Sequence, residues 1–317
     1  MQVGAIDVKR VLDACAHVPG ALNDGYLLPW EHGKITHWRK PLVKHNYDYV
    51  LMDPSWCAPA FYEVLVAELR DLGLRVDHAV GPALERVVRA ELRDRGVKSV
   101  GGAYKINGVS GECDVVVETA QTIILIEIKK KVLRRDAKGG DLVALLLDLS
   151  EALFAAQTQA AGHELLLYQN GQLILDDGEQ KHTLVRGTRT VERVALTHLD
   201  FGSLQDRQVL SNVFEILAGA RINASDPAAE KALKQLETRG QELAVLHNKL
   251  HALRPTDGTP FFNCWFLSLG HLLVMLDHVS SNEEFGKELR QTRHMSTGSL
   301  DFYFEYAQAR AIRAAVP

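Results

Sequence analysis

Apolar positions recur along the chain with two periods, and the period changes mark the elements. Residues 1–57 show neither period clearly. Trp30, Trp38 and Trp56 alternate there with His, Lys and Tyr, and Pro19, Pro29, Pro41 and Pro54 punctuate the stretch, which reads as irregular. Over 59–72, Phe61, Leu65, Val66, Leu69 and Leu72 fall at helical spacing. Gly81-Pro82 is expected to open a second helix, because proline suits a first turn. Leu84, Val87, Val88 and Leu92 form its apolar stripe, and Gly96 is placed to close it.

Three short pieces follow with strand character, at 99–106, 112–118 and 122–128. The last is almost continuously apolar or β-branched, as in a strand buried on both faces. The three-residue link Thr119-Ala120-Gln121 predicts a tight hairpin between the second and third pieces. A long helix is expected over 141–161. The segments 165–169 and 172–175 flank Asn170-Gly171 and read as a hairpin with a type I′ turn. A further strand is expected at 191–198. After Asp200 helical patterns dominate, at 204–219, 228–253, 261–277 and 300–315, with a break at Pro255-Thr256-Asp257-Gly258. Leu236, Leu243 and Leu250 recur every seven residues, which fits a local helical bundle. The expected organisation is an irregular to helical region at 1–80, a mixed α/β domain at 81–200 and a helical region at 201–317.

Charge and composition narrow the function classes. The chain of 317 residues has 36 Lys+Arg against 40 Asp+Glu, a formal net charge of −4. That excludes a generally cationic nucleic-acid coat but leaves room for a local basic groove. Cys15, Cys57, Cys113 and Cys264 lie far apart, without a disulfide framework or zinc-finger spacing. The N-terminal segment lacks the charged-then-apolar pattern of a signal peptide. The most apolar stretch, 261–276, is interrupted by Asn263, Ser268 and His271 and reads as a core helix, not a membrane span. A reducing, cytoplasmic setting is expected. His247 and His251 stand at i, i+4, but Asn248 occupies the position where a zinc protease needs Glu.

One constellation carries chemistry. Asp114 lies near the start of one strand, and Glu127-Ile128-Lys129 end the next. Side chains two apart on a strand share a face, so Glu127 and Lys129 project together, about 7 Å apart along the strand, while Ile128 points away. The hairpin brings Asp114 back beside them at its open end. Hard carboxylate oxygens suit Mg²⁺, which keeps several waters and takes one or two carboxylates. Such an ion polarises a phosphoryl oxygen and activates water. The Ile128 carbonyl is a further candidate ligand, and Lys129 is placed to orient water or stabilise developing charge. Lys130, Lys131, Arg134, Arg135 and Lys138 follow directly. With Lys129 they give residues 127–138 a local balance of +4, a candidate phosphate-binding patch.

The order Asp114, twelve residues, Glu127-Ile128-Lys129 resembles the PD-(D/E)XK nuclease superfamily, with Cys113 standing where the name pattern has Pro. The resemblance covers about residues 81–170. It implies an α/β fold with a restriction-endonuclease-like mixed central sheet flanked by helices. The regions outside 81–200 would then be mainly helical N- and C-terminal additions. It also implies an acidic residue on the helix before the sheet, matched by Glu85 with Glu91 as rival. On the helix after the Lys it implies a Gln, for which Gln157 and Gln159 both stand, with Gln159 taken as support for substrate or Lys129. By this resemblance the chain is expected to be a Mg²⁺-dependent endonuclease, with Mn²⁺ as substitute. Asp114 and Glu127 would be ligands, and Glu85 an additional ligand or water-positioning acid. DNA is favoured over RNA, and the setting is restriction or anti-phage defence. The added helical regions would serve a protein partner or a second copy. Two other readings stand beside it, a catalytically idle nuclease-like scaffold that binds nucleic acid or protein, and an RNA-cleaving enzyme.

Overall fold

The structure, a computed structural model, describes residues 4–18, 20–28, 31, 34, 40–54, 57–217, 227–253, 261–295 and 297–315. Trp30, Trp38, Trp56, Pro19, Pro29 and the break at 255–258 lie outside the described residues.

The chain divides into two compact units, Met1–Val80 with Arg134–Leu145, and Gly81–Leu133 with Leu146–Pro317. The first is more regular than its sequence suggests. Helix α1 (Ala5–Ala14) is followed by β1 (Ala16–His17), β2 (Leu42–His45), β3 (Asp48–Leu51) and α2 (Cys57–Asp71). The three strands form one small sheet, with β1 parallel and β3 antiparallel to β2. Strands of two to four residues are too short to establish an alternation in sequence, which is why 1–57 read as irregular. Cys15, Ala16, Leu42 and Val64 make the small core.

Helix α3 (Val76–Asp94) starts earlier than the Gly81-Pro82 signal, and Pro82 lies inside it. It stops at Gly96, where the Val97 N–H returns to the Leu92 carbonyl at 2.9 Å. Strands β4 (Ser99–Ile106), β5 (Val109–Glu118) and β6 (Thr122–Lys129) match the expected pieces, and β5 and β6 pair as the antiparallel hairpin. Next come α4 (Arg135–Lys138), α5 (Leu142–Leu149), a π-helical turn at Ser150–Phe154 and α6 (Ala155–Asn170). The expected strand at 165–169 is therefore helix. A Leu-Leu-Leu-Tyr run fits either period, and Leu165 and Leu167 are buried on α6. Gly171 is the left-handed C-cap of this helix (φ 74°), not part of a hairpin turn. The actual hairpin joins β7 (Gln172–Asp176) to β8 (Lys181–Val185).

Strand β9 (Thr190–Thr197) precedes α7 (Arg207–Leu217) and α8 (Pro227–Leu253). The expected helix at 261–277 divides into β10 (Cys264–Ser268) and α9 (Leu269–Leu276), followed by α10 (Asn282–Thr292) and α11 (Phe302–Ala315). All five residues of β10 are buried, and a short mainly apolar run in a parallel strand carries no alternation to distinguish it from helix. Helix α10 was not anticipated, and the Ser281 side chain caps it by accepting from the Glu284 N–H.

The second unit is built on a mixed seven-stranded sheet, in the order β10-β9-β6-β5-β4-β7-β8. Strands β6, β9 and β10 run parallel, and the remaining pairings are antiparallel. Residues after 200 are mainly helical, as expected, yet they are part of this unit, with β10 as an edge strand of the sheet. On one face Ile124 and Ile126 pack with Leu84, Val88 and Leu92 of α3, Leu272 of α9, Phe285 of α10 and Tyr306 of α11. On the other, Ile123 and Leu125 pack with Ala160 and Leu167 of α6. The sheet is thus covered by helices on both faces, as parallel strands require. Among the described residues no helix is long and apolar enough to cross a membrane. Cys15, Cys113 and Cys264 are buried free thiols.

Candidate active site

The middle of β5 and the C-terminal end of β6 lie side by side inside the seven-stranded sheet. Their ladder is regular up to Val115 opposite Ile126. Beyond it the Asp114 side chain takes over a ladder position, with Oδ2 accepting from the Ile128 N–H at 2.8 Å. A bulge lies at this point on β5. Val100 pairs with Val116 and Gly102 with Cys113, so Gly101 alone faces both Asp114 and Val115. A Cβ at Gly101 would stand 2.6 Å from the Asp114 carbonyl oxygen, so the close approach requires glycine. Bulges of this kind re-aim side chains.

Glu127 is 1% exposed. Its Oε1 lies 3.1 Å from His163 Nε2, and its Oε2 is 3.9 Å from Lys129 Nζ and has no hydrogen-bond partner. Burial pushes the Glu127 carboxyl up to about 7. His163 opposes that shift, Asp114 adds to it, and Lys129 opposes it more weakly. Lys129 Nζ donates to Gln159 Oε1 at 2.9 Å, and Gln159 Nε2 donates to the Glu112 carbonyl at 3.2 Å. Glu127 and Lys129 therefore both meet α6, as their shared strand face requires, while Ile128 packs on the α3 side.

Asp114, Glu127, Lys129 and Gln159 are brought together. Gln157 is not among them, because it is fully buried and donates to the carbonyls of Arg193 and Trp265. Glu85 is ion-paired with Arg89 at 2.8 Å, and Arg89 Nη2 donates in turn to the Asp114 carbonyl. Glu85 thus reaches the site through an arginine. Glu91 pairs with Arg95, which also holds Asp277.

Several residues of the basic run are engaged within their own units. Lys130 is exposed. Lys131 sits between Asp148 (2.9 Å) and Glu151 (2.6 Å). Arg134 donates to the Ala144 carbonyl at 3.3 Å, and Lys138 pairs with Glu63. The Arg135 side chain lies outside the described residues. Arg134, Arg135 and Lys138 belong to the first unit, and Lys130 and Lys131 to the second. A count of neighbouring charges does not register acids that arrive from elsewhere in the chain.

Three residues of the site were not singled out from sequence: Arg89, Tyr104 and His163. The Tyr104 hydroxyl shares a hydrogen bond of 2.8 Å with His163 Nδ1. The available signal for His163 was its place four residues after Gln159, on the same helix face.

Among the described residues no group of three or more His, Cys, Asp and Glu side chains is gathered to hold a metal ion. Two carboxylates and a backbone carbonyl nevertheless fit Mg²⁺, which needs few protein ligands and completes its shell with water. The buried Oε2 of Glu127, which accepts no hydrogen bond, is the observation that favours such an ion, because an unsatisfied buried acceptor is costly.

Glu127 has a counterpart of opposite sign elsewhere in this unit. His271, 3% exposed, is stacked on Phe302 at 4.1 Å, and burial pushes its imidazole down to about 4, against the opposing pull of Asp200 and Asp301. Between about pH 4.5 and 6.5 the folded state holds the Glu127 proton that the unfolded chain has lost. Over the same range it lacks the His271 proton that the unfolded chain carries. The Glu127 contribution weakens folding as pH rises, the His271 contribution strengthens it, and the two offset. In metal-free buffer, Glu127→Gln is therefore expected to lose stability relative to wild type on acidification from pH 6.5 to 4.5. The expected slope is up to about 1.4 kcal/mol per pH unit. His271→Gln should shift the opposite way. Urea unfolding midpoints across that range test this, and curves parallel to wild type would refute it.

Comparison with family models, with curated proteins and with solved structures finds no match to this chain.

Proposed function

We propose that this chain is a Mg²⁺-dependent nuclease that hydrolyses phosphodiester bonds, with DNA the favoured substrate. The observation that supports the reading is one cluster at the middle of β5 and the end of β6. In it Asp114 and Glu127 converge, the Glu127 Oε2 is unsatisfied, and Lys129 is held 3.9 Å from that oxygen. These are the residues through which the sequence resembles the PD-(D/E)XK superfamily.

In this reading Asp114, Glu127 and the Ile128 carbonyl would hold the ion. When bound, it supplies charge neutralisation at a phosphoryl oxygen and lowers the pKa of water. Gln159 holds the Lys129 ammonium through its Oε1, so that the remaining donors of Lys129 are free to meet a phosphate oxygen or the attacking water. A positioned cation of this kind stabilises the charge that develops in the transition state. Arg89 fixes the backbone of Asp114, and Glu85 orients Arg89, so Glu85 acts on position more than as a ligand. A setting in restriction or defence against phage follows from the same resemblance.

The test is incubation of the purified chain with linear and circular DNA and with RNA, in Mg²⁺, Mn²⁺ or a chelator. Metal-dependent cleavage that disappears in Lys129→Ala supports the reading. Binding of nucleic acid with no cleavage under any metal overturns it in favour of an idle scaffold, and cleavage confined to RNA overturns the substrate assignment.

A further inference from the structure

Glu127 is held from behind as well as presented in front. His163, 3% exposed, stands on α6 with Nε2 3.1 Å from Glu127 Oε1. Its opposite ring nitrogen, Nδ1, is engaged by the Tyr104 hydroxyl of β4 at 2.8 Å. The Tyr104 and His163 rings also meet edge-on, with centroids 5.3 Å apart and planes at 89°. The imidazole is thus fixed at Nδ1 and by the edge-on ring contact, while Nε2 faces Glu127 at ion-pair distance without a hydrogen bond. Across the sheet Gly111 leaves the space that the Tyr104 hydroxyl fills, because a Cβ there would collide with it. His163 thus faces one carboxylate oxygen, Oε1, while the other, Oε2, accepts no hydrogen bond and has Lys129 Nζ at 3.9 Å.

We infer that the buried Tyr104–His163 pair is a positioning device for Glu127, which occupies Oε1 so that Oε2 alone is presented to a hard divalent cation. The inference rests on the metal-dependent reading above. Histidine here is a positioning residue, since its Nε2 meets the carboxylate and its buried ring has no access to substrate. The pair acts by geometry. A carboxylate free to rotate about its last bond shares its two oxygens among several orientations, and binding an ion then requires one of them to be selected. Outer partners that fix a ligand in this way typically matter by about 10- to 100-fold in metal affinity.

The experiment is a Mn²⁺ titration of the full chain at fixed pH, without nucleic acid, read from the free-ion electron paramagnetic resonance signal. His163→Ala is expected to weaken Mn²⁺ binding about 10- to 100-fold. His163→Gln, whose neutral amide offers one donor and one acceptor to the same neighbours, should recover most of that loss. Tyr104→Phe should weaken binding in the same direction while retaining a cooperative melting transition, and it decides the matter if His163→Ala proves insoluble. Mn²⁺ affinity unchanged in Tyr104→Phe and His163→Ala overturns the inference, as does a Gln variant no better than Ala. A wild-type chain that binds no Mn²⁺ is a different result, because it removes the metal reading itself and the inference with it.

Discussion

Lys129→Ala is expected to lower the rate of cleavage by about 10²- to 10³-fold or more, the usual scale for removing one positioned donor to developing charge, while leaving Mn²⁺ affinity near wild type. The Lys129 side chain is 22% exposed and its ammonium is held by Gln159, so its removal deletes a charge at the site without opening the core. Glu127→Ala should differ in kind, with activity and ion affinity lost together because the carboxylate would be a ligand. Single-turnover cleavage with saturating substrate, beside the Mn²⁺ titration, separates the two. If Lys129→Ala loses soluble protein or ion affinity together with activity, the lysine has a structural role and the assignment is wrong. Gln159→Ala should give a smaller loss than Lys129→Ala, because it frees the ammonium but does not remove it.

The core of this site was legible because its geometry is local. A three-residue link between β5 and β6 leaves little freedom in their register, and the pleat then puts Glu127 and Lys129 on one face. Helix α6 was less legible. The π turn at Ser150–Phe154 inserts a residue into the helical repeat and shifts the phase of everything after it. A wheel drawn from Asp141 therefore cannot say whether Gln157 or Gln159 faces the strand ends. In the structure Gln157 spans β9 and β10, Gln159 meets Lys129, and His163 follows one turn later. Strand β10 was hidden for another reason. Five buried residues with no polar alternation suit a parallel strand and a core helix equally. The partners of the basic run were not legible because Asp148, Glu151 and Glu63, which engage Lys131 and Lys138, lie far from them in sequence.

The same helix is pinned to the sheet by a second buried arrangement, and breaking it should produce a large loss of stability. Arg193 on β9 and Glu164 on α6 are both fully buried, with Nε 3.3 Å from Oε2. Arg193 Nη2 also donates to Asn263 Oδ1 at 3.3 Å and to the Cys264 sulfur at 3.0 Å. Asn263 Nδ2 closes the ring by donating to both Glu164 oxygens at 3.3 Å and to the Val191 carbonyl at 2.9 Å. Removing the acid alone strands a guanidinium in the core, so Glu164→Ala is expected to cost about 3–5 kcal/mol. The double change Arg193→Met with Glu164→Leu removes both charges and fills similar volume. It should restore most of that loss, since a buried pair is often no more stable than its apolar replacement. Urea unfolding of Arg193→Met, of Glu164→Leu and of the double variant gives the coupling directly. Strong coupling is expected, and single losses that simply add would mean that each residue is held by its other partners. Because Glu164 follows His163 directly, Glu164→Ala should also loosen the α6 face that holds Lys129 and Glu127. Cleavage is then expected to fall in that variant and to return in the double variant, although neither residue touches the site.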